Sequence, residues 1–269
     1  MKREIGMASS LSELGSPPGQ AGPSPRPANL PHIEGFDVQA RYQSDRCCGD
    51  FFDAVAIGSR VVFLLMDIAG RRPETHAIAI DVQNVFRTRA QELFERSDAN
   101  ESEGIALLVR DINRSLIEAA QRVRFTPAFL GCYNLNLHIL TYHYAGHLLA
   151  VFRDAEKTRV LEVGGIPLGL FTHSTYEPAV LGFDPDAKLL LVTKGIAESR
   201  RRPAIFDDEQ MRGLLENSTA DSASEMCDAV LQAAGDSASR KGSRAFLRPR
   251  NRKYRDDLTV VALARREAV

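Results

Sequence analysis

Acidic residues beside strongly apolar segments are the feature of this 269-residue sequence that most directly suggests chemistry. Asp50 precedes a pair of phenylalanines, Asp67 closes the run Val61–Met66, and Asp256 stands two residues before another apolar run. Carboxylates at strand ends are the oxygen ligands that hard divalent cations prefer. If the fold brings Asp50, Asp67 and Asp256 together, the sequence predicts a divalent-cation centre.

Asp67 follows a segment so apolar that we predict a central strand over 61–67. A charged group at the end of a buried strand needs a partner, because an isolated buried carboxylate is costly. The alternative is that Asp67 only caps the helix predicted to follow it.

Asp50 and Asp53 flank Phe51 and Phe52, and we expect both carboxylates to lie on one face of a strand or bend. The preceding residue, Gly49, has no side chain and therefore allows another backbone segment to approach closely. Taken alone, this segment is also a common turn signature.

The elements that must position these residues do not alternate as βαβ units. Strands are predicted over 38–42, 51–57, 61–67, 128–135, 139–144, 148–153, 159–163, 188–193 and 258–264. Helices are predicted from near 73, over 103–122, over 207–217 and over 222–234. This order favours an α+β domain with mostly antiparallel sheets and the helices segregated outside them.

Composition and charge indicate an ordinary globular protein, with 44% hydrophobic and 26% charged residues. The net charge of −1 predicts no general attraction to nucleic acid or to membranes. Four cysteines without a CxxC pair are expected to be buried free thiols. The first residues lack the apolar stretch of a secretory signal, so we expect a cytoplasmic location.

Residues 1–31 are rich in proline and glycine and are predicted to form a disordered arm, followed by one domain over 32–269. The arm is too short and too polar to fold as a sensor domain. We therefore expect any regulation to come from a separate chain.

Six segments, in this order, resemble the metal-dependent protein phosphatase superfamily of the 2C type, and within it the SpoIIE-like serine phosphatases. The resemblance covers about Leu30 to Ala264. The matching segments are Cys48–Asp53 for GGD-aromatic-aromatic-D, Asp67–Arg72 for DxxGKG, Ala145–His147 for AGH, Gly165–Gly169 for GxPLG, Thr193–Glu198 for TDGxxE and Asp256–Thr259 for DDxT.

The resemblance implies an α/β/β/α sandwich and hydrolysis of phosphoserine or phosphothreonine with two Mg²⁺ or Mn²⁺ ions. Asp67 would bridge both ions, and Ile68 would offer its carbonyl to one of them. Asp50 would support that ion directly or through water, and Asp256 would bind the other. Paired cations lower the pKa of a shared water and neutralise phosphoryl charge.

Lys194 departs from this pattern, because the family carries a metal-binding aspartate at that position. A unit charge pair at 4 Å is worth about 4 kcal/mol at an effective dielectric near 20, so the ion site should be weakened or empty. The ammonium could instead replace the cation beside Asp67 and Asp256, or it could reach solvent while an ion remains.

Cys48 and Arg72 also depart from the family pattern, because each replaces a glycine and adds bulk. The alternative to a phosphatase is therefore a pseudophosphatase that serves as a phosphoprotein-binding or regulatory scaffold.

The segment from Arg240 to Arg255 has eight basic residues and no acidic one. A solvated loop is one interpretation. The other is that it steers a phosphorylated or acidic partner to the edge of the site, with Arg248, Arg250, Arg252 and Lys253 as candidate contacts. By resemblance, the substrate is a phosphoserine on an anti-sigma-factor antagonist in partner-switching signalling.

Three histidines, His138, His143 and His147, invite comparison with a zinc site. Their spacing straddles a predicted hairpin and no cysteine joins them, which is unlike the ligand patterns that zinc prefers. We therefore do not predict a zinc site, and we expect His147 to order a turn.

Overall fold

The structure is a computed structural model that describes residues 28, 33–43, 49–69, 72–120, 125–146, 148–193, 208–220, 222–240 and 258–266. Within these ranges the chain forms ten strands and four helices. The strands are β1 (Phe36–Gln43), β2 (Asp50–Ile57), β3 (Arg60–Asp67), β4 (Ala128–Asn134), β5 (Ile139–Ala145), β6 (Leu149–Arg153), β7 (Thr158–Val160), β8 (Ala179–Gly182), β9 (Lys188–Val192) and β10 (Leu258–Arg265). The helices are α1 (Arg72–Phe94), α2 (Glu101–Ala120), α3 (Asp208–Glu216) and α4 (Ala223–Arg240).

The described strands form two five-stranded sheets. Sheet 1 has the order β1-β10-β9-β6-β7, and sheet 2 has the order β2-β3-β4-β5-β8. Each pairing between described strands is antiparallel. The prediction of an α+β fold with two antiparallel sheets is confirmed.

The sheets pack face to face, with one helix pair outside each. Strand β3 shows the layering, because the run Val61–Met66 is fully buried. Its even-numbered residues pack in the cluster that contains the apolar stripes of α1 and α2. Its odd-numbered residues pack with β9 and β10 of sheet 1. A strand covered on both faces reads as a continuous apolar run, and this is why its central position could be predicted.

The helices bury the stripes that their sequences predict. In α1, Ile78, Val82 and Phe86 are buried and Val85 is partly buried. In α2 the whole predicted stripe is buried, namely Ile105, Leu108, Val109, Ile112 and Leu116. On the other side, α3 and α4 cover sheet 1 with Met211, Leu215, Met226 and Val230. The α/β/β/α arrangement follows from these three apolar layers.

The edges of the sheets differ from the sequence prediction. Strand β8 was not predicted, and β7 covers Thr158–Val160 and not 159–163. In β8 only Leu181 is buried, so the segment has almost no apolar pattern. It is a strand because its backbone pairs with β5, and that pairing is a tertiary contact which local sequence does not encode.

The predicted arm lies outside the described residues except for residue 28, and described structure becomes continuous at Ile33, which bridges to Phe36. Of the predicted free thiols, Cys132 and Cys227 are buried and unpaired, and burial raises the pKa of Cys227 to about 12. Cys47 and Cys48 lie outside the described residues. Across the described ranges, the helices are all too short or too polar to cross a lipid bilayer.

Candidate functional site

Asp50 and Asp67 lie directly opposite each other at one end of sheet 2. Asp50 is the first residue of β2, Asp67 is the last of β3, and the two are register partners. Directly opposed residues of an antiparallel pair have Cα atoms about 4.5 to 5.5 Å apart. Both carboxylates are half-buried. They share their strand face with Phe52 and Leu65, which pack toward sheet 1. The structure therefore brings together two of the predicted metal ligands, on the side that faces sheet 1.

Gly49 packs against the backbone that follows Asp67. The Ile68 amide donates to the Gly49 carbonyl at 2.8 Å. A Cβ added at Gly49 would lie 2.3 Å from the Ile68 carbonyl oxygen and 3.4 Å from Asp67 Oδ1. The close approach predicted for Gly49 is confirmed. It places the Ile68 carbonyl, the third predicted ligand, beside the paired carboxylates.

Two threonines contact Asp50 from across the sandwich, one directly after β9 and the other within β10. The hydroxyl of Thr193 donates to Asp50 Oδ2 at 2.6 Å, and the hydroxyl of Thr259 donates to the same oxygen at 2.8 Å. The Thr259 amide donates to Thr193 Oγ1 at 2.9 Å. Both threonines are almost fully buried. Sequence reasoning gave neither a role, although both stand inside matched motif segments. The sequence does carry a signal for them. Each threonine occupies the next alternate position along its strand, on the face that points toward the opposite sheet.

Asp53 does not share a face with Asp50, so that expectation was wrong. Residues three apart on a strand point to opposite faces. Asp53 is fully buried and faces α1, where Arg87 contacts its two carboxylate oxygens at 2.7 and 2.9 Å. Gln83 donates to it at 3.1 Å, and the hydrogen bonds to Asp53 raise the pKa of Arg87. Asp53 therefore joins α1 to β2 and is not part of the paired carboxylates.

Several predicted site residues lie outside the described residues. These are Lys194, Asp256 and the basic residues Arg248, Arg250, Arg252 and Lys253. The chain connects two of them to described contacts of Asp50. Lys194 follows Thr193 directly, and Asp256 precedes Thr259 by three residues. Within the described ranges no group of three or more His, Cys, Asp or Glu side chains could hold a metal. Asp50 and Asp67 are two such side chains, so a complete ligand set needs a residue such as Asp256.

The histidines do not assemble a site in the described part of the chain. His138 lies in the turn before β5 and contacts the Tyr133 hydroxyl at 3.1 Å. His143 is buried on the helix-facing side of β5, edge-on to Tyr176. His143 contacts Tyr176 on the helix side of sheet 2, whereas His138 contacts Tyr133, which packs toward sheet 1, so the two rings do not share a site. His147 lies outside the described residues.

Comparison with known proteins identifies the family of this fold. The family model for Stage II sporulation protein E (SpoIIE) matches residues 57–266. A curated relative is the phosphoserine phosphatase RsbU of Bacillus subtilis, 21% identical over 161 residues. The match covers 59% of this chain and 44% of RsbU, so the chain spans less than half of that relative's length.

Solved structures agree in fold. The RsbU and RsbW domains of a Mycobacterium tuberculosis protein align with a TM-score of 0.65 at 21% identity, over 88% of this chain and 63% of that one. The 2C-type phosphatase domain of Bacillus subtilis SpoIIE, with a fragment of its regulatory domain, aligns with a TM-score of 0.63 at 12% identity, over 87% and 64% of the two chains. The family match spans more than half of the sequence, and the two-sheet architecture is that of these structures. The chain therefore belongs to the SpoIIE family, and its fold is that of the 2C-type phosphatase domain of Bacillus subtilis SpoIIE.

Proposed function

We propose that this chain is a metal-dependent protein serine/threonine phosphatase that hydrolyses phosphoserine on a signalling protein. The observation that supports it most is the pairing of Asp50 with Asp67 on the side of sheet 2 that faces sheet 1. Thr193 and Thr259 reach the same carboxylate from sheet 1. The strand ends of both sheets therefore meet at one end of the sandwich.

The residues present fit Mg²⁺ or Mn²⁺. Asp50 and Asp67 supply carboxylate oxygens and Ile68 supplies a carbonyl, which are the donors that hard cations favour. Gly49 contacts Ile68 so closely that a side chain at position 49 would not fit. This contact holds the donors together. In the proposal Asp67 would serve both ions, Ile68 and Asp50 would hold the first, and Asp256 would hold the second. Bound there, the cations would activate a water for attack on phosphorus and offset the charge of the phosphoryl oxygens.

The second candidate function is a pseudophosphatase that binds a phosphoprotein or regulatory partner without turnover. Lys194 is the observation that favours it. Consecutive Cα atoms are about 3.8 Å apart, so Lys194 is tethered next to a residue that contacts Asp50. An ammonium there opposes a divalent cation, whereas the family's aspartate attracts one.

Hydrolysis of a phosphoserine peptide in Mn²⁺ distinguishes the two candidates. The variants are Lys194→Asp, Asp67→Ala and Asp67→Asn, with folding checked by circular dichroism. Glu118→Gln is the matched control, because this exposed carboxylate pairs with Arg114 on the surface of α2. Metal-dependent turnover by the wild type that both Asp67 variants abolish, and that Glu118→Gln retains, supports the phosphatase.

Absence of wild-type turnover contradicts the phosphatase. If Lys194→Asp then gains activity, the natural chain is a scaffold whose centre Lys194 has disabled. If Lys194→Asp gains nothing, the added bulk of Cys48 and Arg72 is the next target, and Cys48→Gly with Arg72→Gly tests it. Equal turnover by wild type and Asp67→Ala would show that hydrolysis does not use this centre.

The proposed substrate is a phosphorylated protein, such as an anti-sigma-factor antagonist, gathered by the basic segment Arg240–Arg255. Long-range attraction of an acidic partner raises association rates and weakens as salt is added. We predict that changing Arg248, Arg250, Arg252 and Lys253 to glutamine lowers partner affinity and flattens its salt dependence, measured by surface plasmon resonance. Unchanged affinity and unchanged salt dependence would contradict this role. The proposal includes a cytoplasmic location, which the free thiols of Cys132 and Cys227 support.

A further inference from the structure

We propose that Thr193 and Thr259 are positioning residues that hold the Asp50 carboxylate in the orientation needed to bind a divalent cation. This inference rests on the proposed function, because it concerns the same centre. It adds two residues that orient a proposed ligand, Asp50, to a centre whose proposed ligands are Asp50, Asp67, Ile68 and Asp256.

Both hydroxyls converge on one oxygen of Asp50. Thr193 Oγ1 lies 2.6 Å and Thr259 Oγ1 lies 2.8 Å from Asp50 Oδ2. A single hydrogen bond leaves a carboxylate able to rotate about its Cβ–Cγ bond, whereas two donors from different strands fix that rotation. Hydrogen bonds to an ionised acceptor are also stronger than neutral ones.

The direction of the Thr193 hydrogen bond is set by the backbone. A hydroxyl has one hydrogen to donate and two lone pairs to accept. Thr193 Oγ1 accepts the Thr259 amide at 2.9 Å, and the Thr193 amide donates to the Thr259 carbonyl at 3.0 Å. With a lone pair occupied by the amide, the hydroxyl hydrogen points to Asp50. The ends of β9 and β10 are thereby joined to each other and to β2.

This arrangement fixes the position of sheet 1 relative to the paired carboxylates. The two threonines are about 1% and 3% exposed, so solvent does not compete for their hydroxyls. Groups that orient a metal ligand through hydrogen bonds typically contribute about 10-fold to 100-fold to metal affinity. Valine matches the shape of threonine but has no hydroxyl, whereas serine keeps the hydroxyl and loses the methyl group.

The test is Mn²⁺ binding to the full chain by isothermal titration calorimetry. The variants are Thr193→Val, Thr259→Val and the corresponding serine variants. Thr126→Val is the matched control, because Thr126 is also fully buried and its hydroxyl has no partner among the described residues. We expect each valine variant to weaken Mn²⁺ binding about 10-fold or more, while the serine variants and Thr126→Val stay close to the wild type.

Binding and turnover are read separately, so the two proposals can fail separately. Loss of Mn²⁺ affinity in the valine variants with rescue by serine supports the positioning role whether or not the wild type hydrolyses a phosphopeptide. Wild-type affinity in both valine variants overturns the positioning role and leaves the phosphatase proposal to its own assay. If the wild type binds no Mn²⁺, the comparison is made in the Lys194→Asp background, and absence of binding there also overturns the positioning role.

Discussion

His143 is a buried imidazole whose protonation the fold disfavours. Its Nδ1 faces the Glu177 carbonyl at 3.4 Å, and its Nε2 is buried without a hydrogen-bond partner in the described part of the chain. Protonation would create a buried N–H at Nε2 that nothing there accepts. Burial accordingly lowers the pKa of His143 from its ordinary value near 6.5, outweighing the opposite effect of the Glu177 carbonyl.

We predict that His143 makes the protein less stable as the pH falls from 7 to 5.5. In this window the unfolded chain binds more protons at this residue than the folded chain does, so the free energy of unfolding decreases as the pH falls. Urea denaturation of the wild type and of His143→Leu at each pH measures the free energy of unfolding. The decrease that His143 causes between pH 7 and pH 5.5 should be absent in His143→Leu. His173→Gln, at an exposed histidine, is the control. The same pH slope in His143→Leu and the wild type would contradict the prediction.

At the residue scale, the sequence was informative where a residue type is itself the chemical signal. Asp50, Asp67 and Gly49 were singled out because they stand in motif segments that occur in the order expected of the family, and the structure places them side by side. Thr193 and Thr259 could not, because a strand threonine is common and only the packing of sheet 1 on sheet 2 brings its hydroxyl to Asp50. Asp53 was misplaced because the sequence spacing was not converted into alternating strand faces.

At the scale of elements, the ion pair of Asp53 and Arg87 joins α1 to β2. Asp53 is fully buried and the Arg87 side chain is about one quarter exposed. Two hydrogen bonds from the guanidinium and one from Gln83 compensate the buried charge. Removing one member of such a pair leaves an uncompensated charge, whereas removing both does not.

We predict that Arg87→Met lowers the free energy of unfolding by about 3 to 5 kcal/mol. The double variant Asp53→Leu with Arg87→Met should recover most of that loss, since no charge is then left buried. Chemical denaturation measures both. Arg114→Met is the matched control, because the Arg114–Glu118 pair on α2 is exposed and should have no measurable effect. A double variant as unstable as the single one would show that packing, and not the unpaired charge, sets the cost.

The predictability of the elements follows their burial. The strand β3 and the stripes of α1 and α2 were predicted because each is covered by the core. The sequence shows this as a continuous apolar run in β3 and as helical spacing of apolar residues in α1 and α2. The edge strand β8 carries none, since three of its four residues are exposed. Its pairing with β5 depends on the path of the chain between them, and a local pattern cannot encode that path.

At the scale of the whole molecule, the candidate centre joins the two sheets. Sheet 2 contributes Asp50 and Asp67, and sheet 1 contributes the hydroxyls of Thr193 and Thr259. Sheet 1 itself pairs the first and last of the described strands, β1 and β10. A ligand that binds the folded centre and not the unfolded chain therefore stabilises both sheets together.

We predict that Mn²⁺ raises the free energy of unfolding of the whole domain by about 2.7 kcal/mol at a concentration 100 times its Kd. Urea denaturation with Mn²⁺ and with a chelator, followed by both circular dichroism and tyrosine fluorescence, measures this shift. Each variant is compared with its own metal-free baseline. Asp50→Asn should lose the shift because it removes a carboxylate of the centre, whereas Glu118→Gln should keep it. An equal shift in Asp50→Asn would locate Mn²⁺ elsewhere. If the wild type shows no shift and Lys194→Asp shows one, the Lys194 ammonium is the group that keeps the ion out.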